Sequence, residues 1–222
     1  MKNNQTKSPI WDSKECALVL IDYQPEVMDS IHDKDPKLVE LNVCALAQMA
    51  VKFEIPVVLS TVAVKLGVDS PTIEPLKAVL PGVDEIDRTS MDAWDDEAFV
   101  KAVKATGRKK LVMGGIVTSV CLAYPAVRAL SDGFEVSFIE DAIGDLSKSH
   151  HDMGVMRLIQ AGAVPNTTTG IMAEWFRDWA SPLASRAREV LPTYLMEFNK
   201  LHGYPLPIWA KKNPPAEQRR VG

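Results

Sequence analysis

Short apolar runs alternate with stretches of helical period along this chain, and that alternation leaves few folds open. Ala17-Leu-Val-Leu-Ile-Asp22, Pro56-Val-Val-Leu-Ser-Thr-Val62, Lys110–Met113 and Gly133-Phe-Glu-Val-Ser-Phe-Ile139 predict strands. Between them, 36–53, 96–104, 118–130 and 150–161 predict helices, the first through Leu38, Val39, Leu41, Leu46, Met49 and Ala50. Weaker strands are expected at 84–88 and 163–168, and a last helical region opens at Met172–Trp179. Strands of this kind, apolar on both faces, belong in a parallel sheet covered on both sides. Right-handed crossovers then give a doubly wound α/β fold, a three-layer α/β/α sandwich on a mostly parallel six-stranded sheet.

Residues 1–184 read as one domain. From 185 to 222 the character changes to a helix (186–201) and an extended tail with Tyr204, Leu206, Ile208 and Trp209. That apolar tail predicts docking, on its own domain or on a neighbouring subunit. Net charge is −4 and no basic patch is present, which argues against nucleic acid. The longest apolar run, Cys16–Ile21, is far shorter than the roughly 20 residues of a membrane helix. The polar start, Met1-Lys-Asn-Asn-Gln-Thr-Lys7, lacks a signal peptide's apolar region. Three widely spaced cysteines, Cys16, Cys44 and Cys121, fit reduced thiols in a cytoplasmic setting.

Ligands of such folds gather at the carboxyl ends of the strands. Asp22, Arg88 and Cys121 all fall there. Cys121 closes Gly114-Gly-Ile-Val-Thr-Ser-Val-Cys121, a strand–turn–helix pattern with the thiol in the first helical turn. Unpaired N–H groups at a helix start favour thiolate and supply donors for an oxyanion. A buried packing cysteine is the alternative. Asp22 suits either a turn cap or a carboxylate that takes a thiol proton and returns it to a leaving group. Arg88 suits either a surface ion pair or a fixed cation beside Asp22 and Cys121, and it cannot relay a proton. Gln24, Trp94 and Tyr124 are candidate pocket residues, Thr118 joins them at the helix start, and core packing competes in each case. His150 and His151 sit at a helix start, where capping or surface roles are commoner, and no metal-binding array is visible.

Taken together, Ala17-Leu-Val-Leu-Ile-Asp22-Tyr-Gln24, Asp87-Arg88-Thr-Ser-Met-Asp-Ala93-Trp94-Asp95, Gly114–Cys121 and the strand ending in Asp141-Ala142 resemble the isochorismatase-like cysteine hydrolases. The similarity runs over 14–180, and Asp-Ala-Trp-Asp-Asp together with Glu174…Asp178-Trp179 points to the YcaC-like branch. The resemblance implies a Rossmann-like sheet carrying an Asp, Lys, Cys set, with Arg88 at the lysine position. It implies a cis peptide at Ile116–Val117 that aims the Val117 N–H, with that of Cys121, at an oxyanion. It implies hydrolysis of a small amide-like C–N substrate through a Cys121 thioester. Where nicotinamidases of this superfamily carry a metal-binding Asp-x-His, Ser60–Lys65 has neither residue, so no metal and no cofactor are expected. The branch also implies a ring-based homo-oligomer, with an octamer as one form. Two other readings stay open: an inactive homo-oligomeric binding protein on the same fold, and a thiol redox protein using Cys121.

Overall fold

A computed structural model describes residues 9–212. The elements run β1 (Cys16–Ile21), α1 (Pro25–Met28), α2 (Pro36–Lys52), β2 (Val57–Val62), α3 (Glu74–Ala78), β3 (Glu85–Arg88), α4 (Glu97–Ala105), β4 (Lys110–Gly115), α5 (Ala123–Ser131), β5 (Glu135–Ile139), α6 (Lys148–Gln160), β6 (Val164–Asn166), α7 (Thr168–Phe176), α8 (Pro182–Leu201) and α9 (Ile208–Lys212). The six strands form one sheet in the order β3-β2-β1-β4-β5-β6. Every pairing is parallel, so the expected mostly parallel sheet is wholly so.

Alternation along β1 builds the two cores. Cys16, Leu18 and Leu20 face α2, α7 and α8, where Val43, Leu46, Met172 and Ala187 pack. Ala17, Val19 and Ile21 face α4, α5 and α6, where Phe99, Val103, Ala126 and Leu158 pack. A strand buried on both faces has no room for a polar side chain, which explains the uninterrupted apolar run in the sequence. Local chemistry fixes the helix starts. Asp35, Asp96, Ser147 and Thr167 each accept a first-turn N–H, satisfying donors that the helix leaves unpaired.

Two differences from expectation concern the connections. The stretch after β2, where no helix was predicted, contains α3, which opens with Pro75 in its first turn. The expected boundary at 184/185 falls inside α8, which begins at Pro182. That helix lays Ala184, Ala187, Val190 and Leu191 into the α2 core. Tyr194 on the same helix donates its hydroxyl to Asn42 Oδ1 at 2.9 Å. Beyond α8, Tyr204, Leu206 and Trp209 are largely exposed and Ile208 is 74 % exposed. The expected tail from 213 onward lies outside the described residues. Among those residues no helix is long and apolar enough to cross a membrane.

Candidate active site

β1, β3 and β4 end together, and the residues just past their ends meet. Asp22 follows β1 with φ 62, a left-handed conformation that Asp and Asn tolerate better than most residues. Its N–H is held by Ser60 O of β2 at 2.9 Å. Arg88, the last residue of β3, forks onto the Asp22 carboxylate. The Nη1–Oδ1 distance is 2.6 Å and the Nη2–Oδ2 distance 2.7 Å. Neither side chain has measurable exposure. Nη1 also donates to Ser60 Oγ and Thr61 O, both at 3.1 Å. The Nε–H has no hydrogen-bond partner among the described residues. Burial works against the Arg88 charge, but the hydrogen bonds and charge of Asp22 outweigh it and raise the guanidinium pKa.

The third residue arrives on a widened turn. Thr118–Leu122 forms a π turn that leads into α5. The Val117 carbonyl accepts from Val120 N at 3.2 Å and from Leu122 N at 3.3 Å, skipping Cys121. Single π turns inside helices are frequent at functional sites. The Ile116–Val117 peptide is cis. Asp22, Arg88 and the Val117 N–H all lie near enough to the Cys121 sulfur to act on its titration. Burial and the Asp22 charge push the thiol up to about 12, against the Val117 N–H and Arg88. This corrects the expectation of a resting thiolate: Arg88 spends its charge on Asp22, and the sulfur faces a carboxylate. Cys121 is buried, with 8 % of the residue exposed, and Asp22 has no exposure.

Gly114 has a packing role within β4. A Cβ there would meet Tyr23 Oη at 2.3 Å. Tyr23 passes through that space to donate to Ala142 O at 2.7 Å, tying the end of β1 to the turn after β5.

The expected pocket residues are engaged elsewhere. Gln24 is fully buried, and its amide is spent on backbone. It donates to Val62 O at 2.9 Å and Ser70 O at 2.8 Å, and accepts from Val62 N at 2.8 Å. It clamps the loop after β2. Trp94 packs edge-on between Phe99 and Phe134. Its indole donates to Asp132 at 3.0 Å, at the far end of α5 from Cys121. Thr118 is fully buried, with its hydroxyl on Gly144 O at 3.0 Å. The Tyr124 ring lies under the Arg157 guanidinium, 5.1 Å away, facing α6. Gln24, Trp94 and Thr118 therefore spend their polar groups on the protein itself.

One network was not anticipated. His150 is the exposed capping histidine that the sequence suggests, 2.7 Å from Ser147 Oγ. His151, its neighbour, is buried. Its Nδ1 lies 3.1 Å from Thr118 Oγ1 and its Nε2 3.0 Å from Glu140 Oε1. Lys34 reaches the same Glu140 oxygen at 2.7 Å. The His151 hydrogen bond, reinforced by Lys34 against partial burial, pulls Glu140 down to about 2. Asp145 holds Ser119 N at 2.8 Å, in the middle of the π turn.

Comparison with known proteins identifies the family. An isochorismatase domain model matches residues 16–170. The probable hydrolase YcaC of Escherichia coli K12 is 38 % identical over 177 residues, covering 79 % of this chain and 85 % of that protein. Its crystal structure, described as an octameric hydrolase of unknown specificity, superposes with a TM-score of 0.78 at 35 % identity, covering 88 % of this chain and 97 % of that one. YcaC from Pseudomonas aeruginosa, solved with hexane-2,5-diol and covalent acrylamide, gives a TM-score of 0.77 at 33 % identity, covering 88 % and 98 %. The chain belongs to the isochorismatase-like hydrolases, in their YcaC-like branch.

Proposed function

We propose that this enzyme hydrolyses a small substrate with an amide-like C–N bond through a thioester on Cys121. The observation that carries the reading is the buried Arg88–Asp22 fork at the strand ends, with the Asp22 carboxylate near enough to Cys121 to act on its thiol. A thiol pushed up to about 12 is not ionised at neutral pH, so its proton must leave as the sulfur attacks. Asp22 accepts that proton while the S–C bond forms and the carbonyl becomes an oxyanion. The Val117 and Cys121 N–H groups hold the oxyanion, and one such donor is typically worth about 3–4 kcal/mol of barrier. The C–N bond then breaks, and Asp22 returns its proton to the leaving amine. Asp22 next takes a proton from water, the hydroxide adds to the thioester, and the C–S bond breaks as the thiol regains the proton. Arg88 keeps Asp22 in place throughout and transfers nothing.

Covalent acrylamide in the Pseudomonas aeruginosa relative is in keeping with an electrophile-accepting site. The octameric Escherichia coli relative, with the exposed Tyr204, Ile208 and Trp209 of this chain, supports a homo-oligomer in which the segment after α8 straps subunits. Intact-protein mass spectrometry with a panel of small activated amides tests the chemistry. An acyl adduct on Cys121 is expected in the wild type and absent from Asp22→Asn and Cys121→Ser. A second reading, a binding protein without turnover, is favoured by the burial of Cys121, which leaves the residue 8 % exposed and pushes its thiol up. No adduct with any amide would decide for it.

A further inference from the structure

α6 presses on the nucleophile turn at two points one helical turn apart. At Gly154, a Cβ would stand 2.9 Å from Ser119 Cα and 3.0 Å from Ser119 N, so the two backbones are in direct contact. At His151, Nδ1 lies 3.1 Å from Thr118 Oγ1. The Thr118 hydroxyl has one hydrogen, and Gly144 O, which only accepts, lies 3.0 Å away. The hydroxyl therefore donates to Gly144 and presents its lone pairs to His151, which makes Nδ1 the donor. Charged groups hold the ring from its other sides. Asp33 Oδ2 is 3.3 Å from Nδ1, Glu140 Oε1 is 3.0 Å from Nε2, and Lys34 Nζ is 3.5 Å from Nε2. Asp33 Oδ1 also accepts Asp145 N at 2.6 Å, and Asp145 in turn holds Ser119 N. Two of these groups, Thr118 and, through Asp145, Asp33, are thus tied to the turn that carries Val117 and Cys121.

We propose that His151 is a positioning residue of the nucleophile turn: by fixing Thr118 it keeps the Val117 N–H and the Cys121 thiol aligned with Asp22. A packing role alone would need bulk at this position, not a donor aimed at one hydroxyl. If the turn drifts, Cys121 moves relative to Asp22, Arg88 and the Val117 N–H, the groups that act on its thiol. The inference rests on Cys121 being the nucleophile.

The test is the pH–rate profile of Cys121 carboxymethylation by iodoacetamide, followed on the Cys121 peptide by mass spectrometry. His151→Ala and Thr118→Val are each expected to displace the profile upward by roughly half a pH unit, about threefold slower reaction at fixed pH. The double variant is expected to be no slower than the slower single one, because both break one contact. Thr118→Ser, which keeps the hydroxyl, is expected to match the wild type. An unmoved profile in variants that merely melt earlier overturns the proposal, as do additive effects in the double variant. Should His151→Ala not fold, Thr118→Val against Thr118→Ser decides. A wild-type Cys121 that never reacts overturns the nucleophile itself, and this inference with it. A reactive wild type with unmoved variants overturns the positioning role alone.

Discussion

Replacing Arg88 by methionine keeps an unbranched stem and deletes the charge. Asp22 then retains a carboxylate in a place where neither side chain of the pair has measurable exposure. It loses hydrogen bonds of 2.6 and 2.7 Å, and Ser60 Oγ and Thr61 O lose the Nη1 donor. Stranding one member of a buried ion pair costs about 3–5 kcal/mol. For a chain of this length each kcal/mol moves the melting point by about 2–4 °C, so Arg88→Met is expected to lower it by roughly 6–20 °C. Thermal unfolding at fixed protomer concentration reads this directly, since any assembly makes the melting point concentration-dependent. The control is Asp22→Asn in the Arg88→Met background. Asparagine removes the stranded charge and still suits the positive φ of 62. The double variant is expected to melt well above Arg88→Met while its Cys121 stays inert, because the proton acceptor is gone. A loss under about 2 °C in Arg88→Met, or a double variant less stable than the single, would refute the pairing argument.

Three further outcomes follow from named contacts. Gly154→Ala places a methyl 2.9 Å from backbone that cannot yield, so it is expected to destabilise by about 1–3 kcal/mol despite alanine's better helix propensity, and to slow Cys121 alkylation. Denaturant midpoints and the alkylation rate check both parts. Burial pushes Cys16, Cys44 and Cys121 each from 9.0 up to about 12. Between those values the unfolded chain sheds protons that the folded chain keeps, so stability falls as pH rises, and Cys121→Ser is expected to flatten the alkaline slope. Glu140 is depressed from 4.5 to about 2, chiefly by His151, so its contribution is present above 4.5 and is lost as pH falls toward 2. Urea midpoints at about pH 3 and pH 6 are expected to differ less in Glu140→Gln than in the wild type; equal differences would assign the acid sensitivity elsewhere.

The four inner strands were legible because they are buried on both faces, which leaves apolar runs that periodicity detects, while the edge strands β3 and β6 are more exposed and read weakly. The convergence of Asp22, Arg88 and Cys121 was legible for a related reason, since parallel strands place their carboxyl ends at one edge. Side-chain direction was not. Trp94 is close to Arg88 in sequence, but it sits in a 3-10 turn and its indole reaches Phe134 and Asp132 at the opposite end of the layer. Gln24, two residues from Asp22, looked like lining because nothing local reveals that Val62 and Ser70 will consume its amide. His151 was hidden more deeply. Its partners come from 33–34, 118 and 140, over one hundred positions away at the far extreme. One residue of register separates it from an exposed histidine on the same helix, and only packing of α6 decides which of the two is buried.

The arginine at the lysine position connects these observations. A lysine offers a point charge that can turn toward either the carboxylate or the sulfur. An arginine offers a planar fork, and here both prongs close on Asp22. That geometry locks the carboxylate against rotation and keeps it aimed at the thiol. It also withdraws the positive charge from Cys121, which is why burial and the facing carboxylate prevail and the sulfur rests protonated. In the proposed mechanism such a site does not depend on a standing thiolate. Reactivity there depends on how well the thiol is aligned with Asp22 at the moment of attack. That places the burden on the π turn and on whatever holds it, namely Gly154 against Ser119, Asp145 on the Ser119 N–H, and His151 on Thr118.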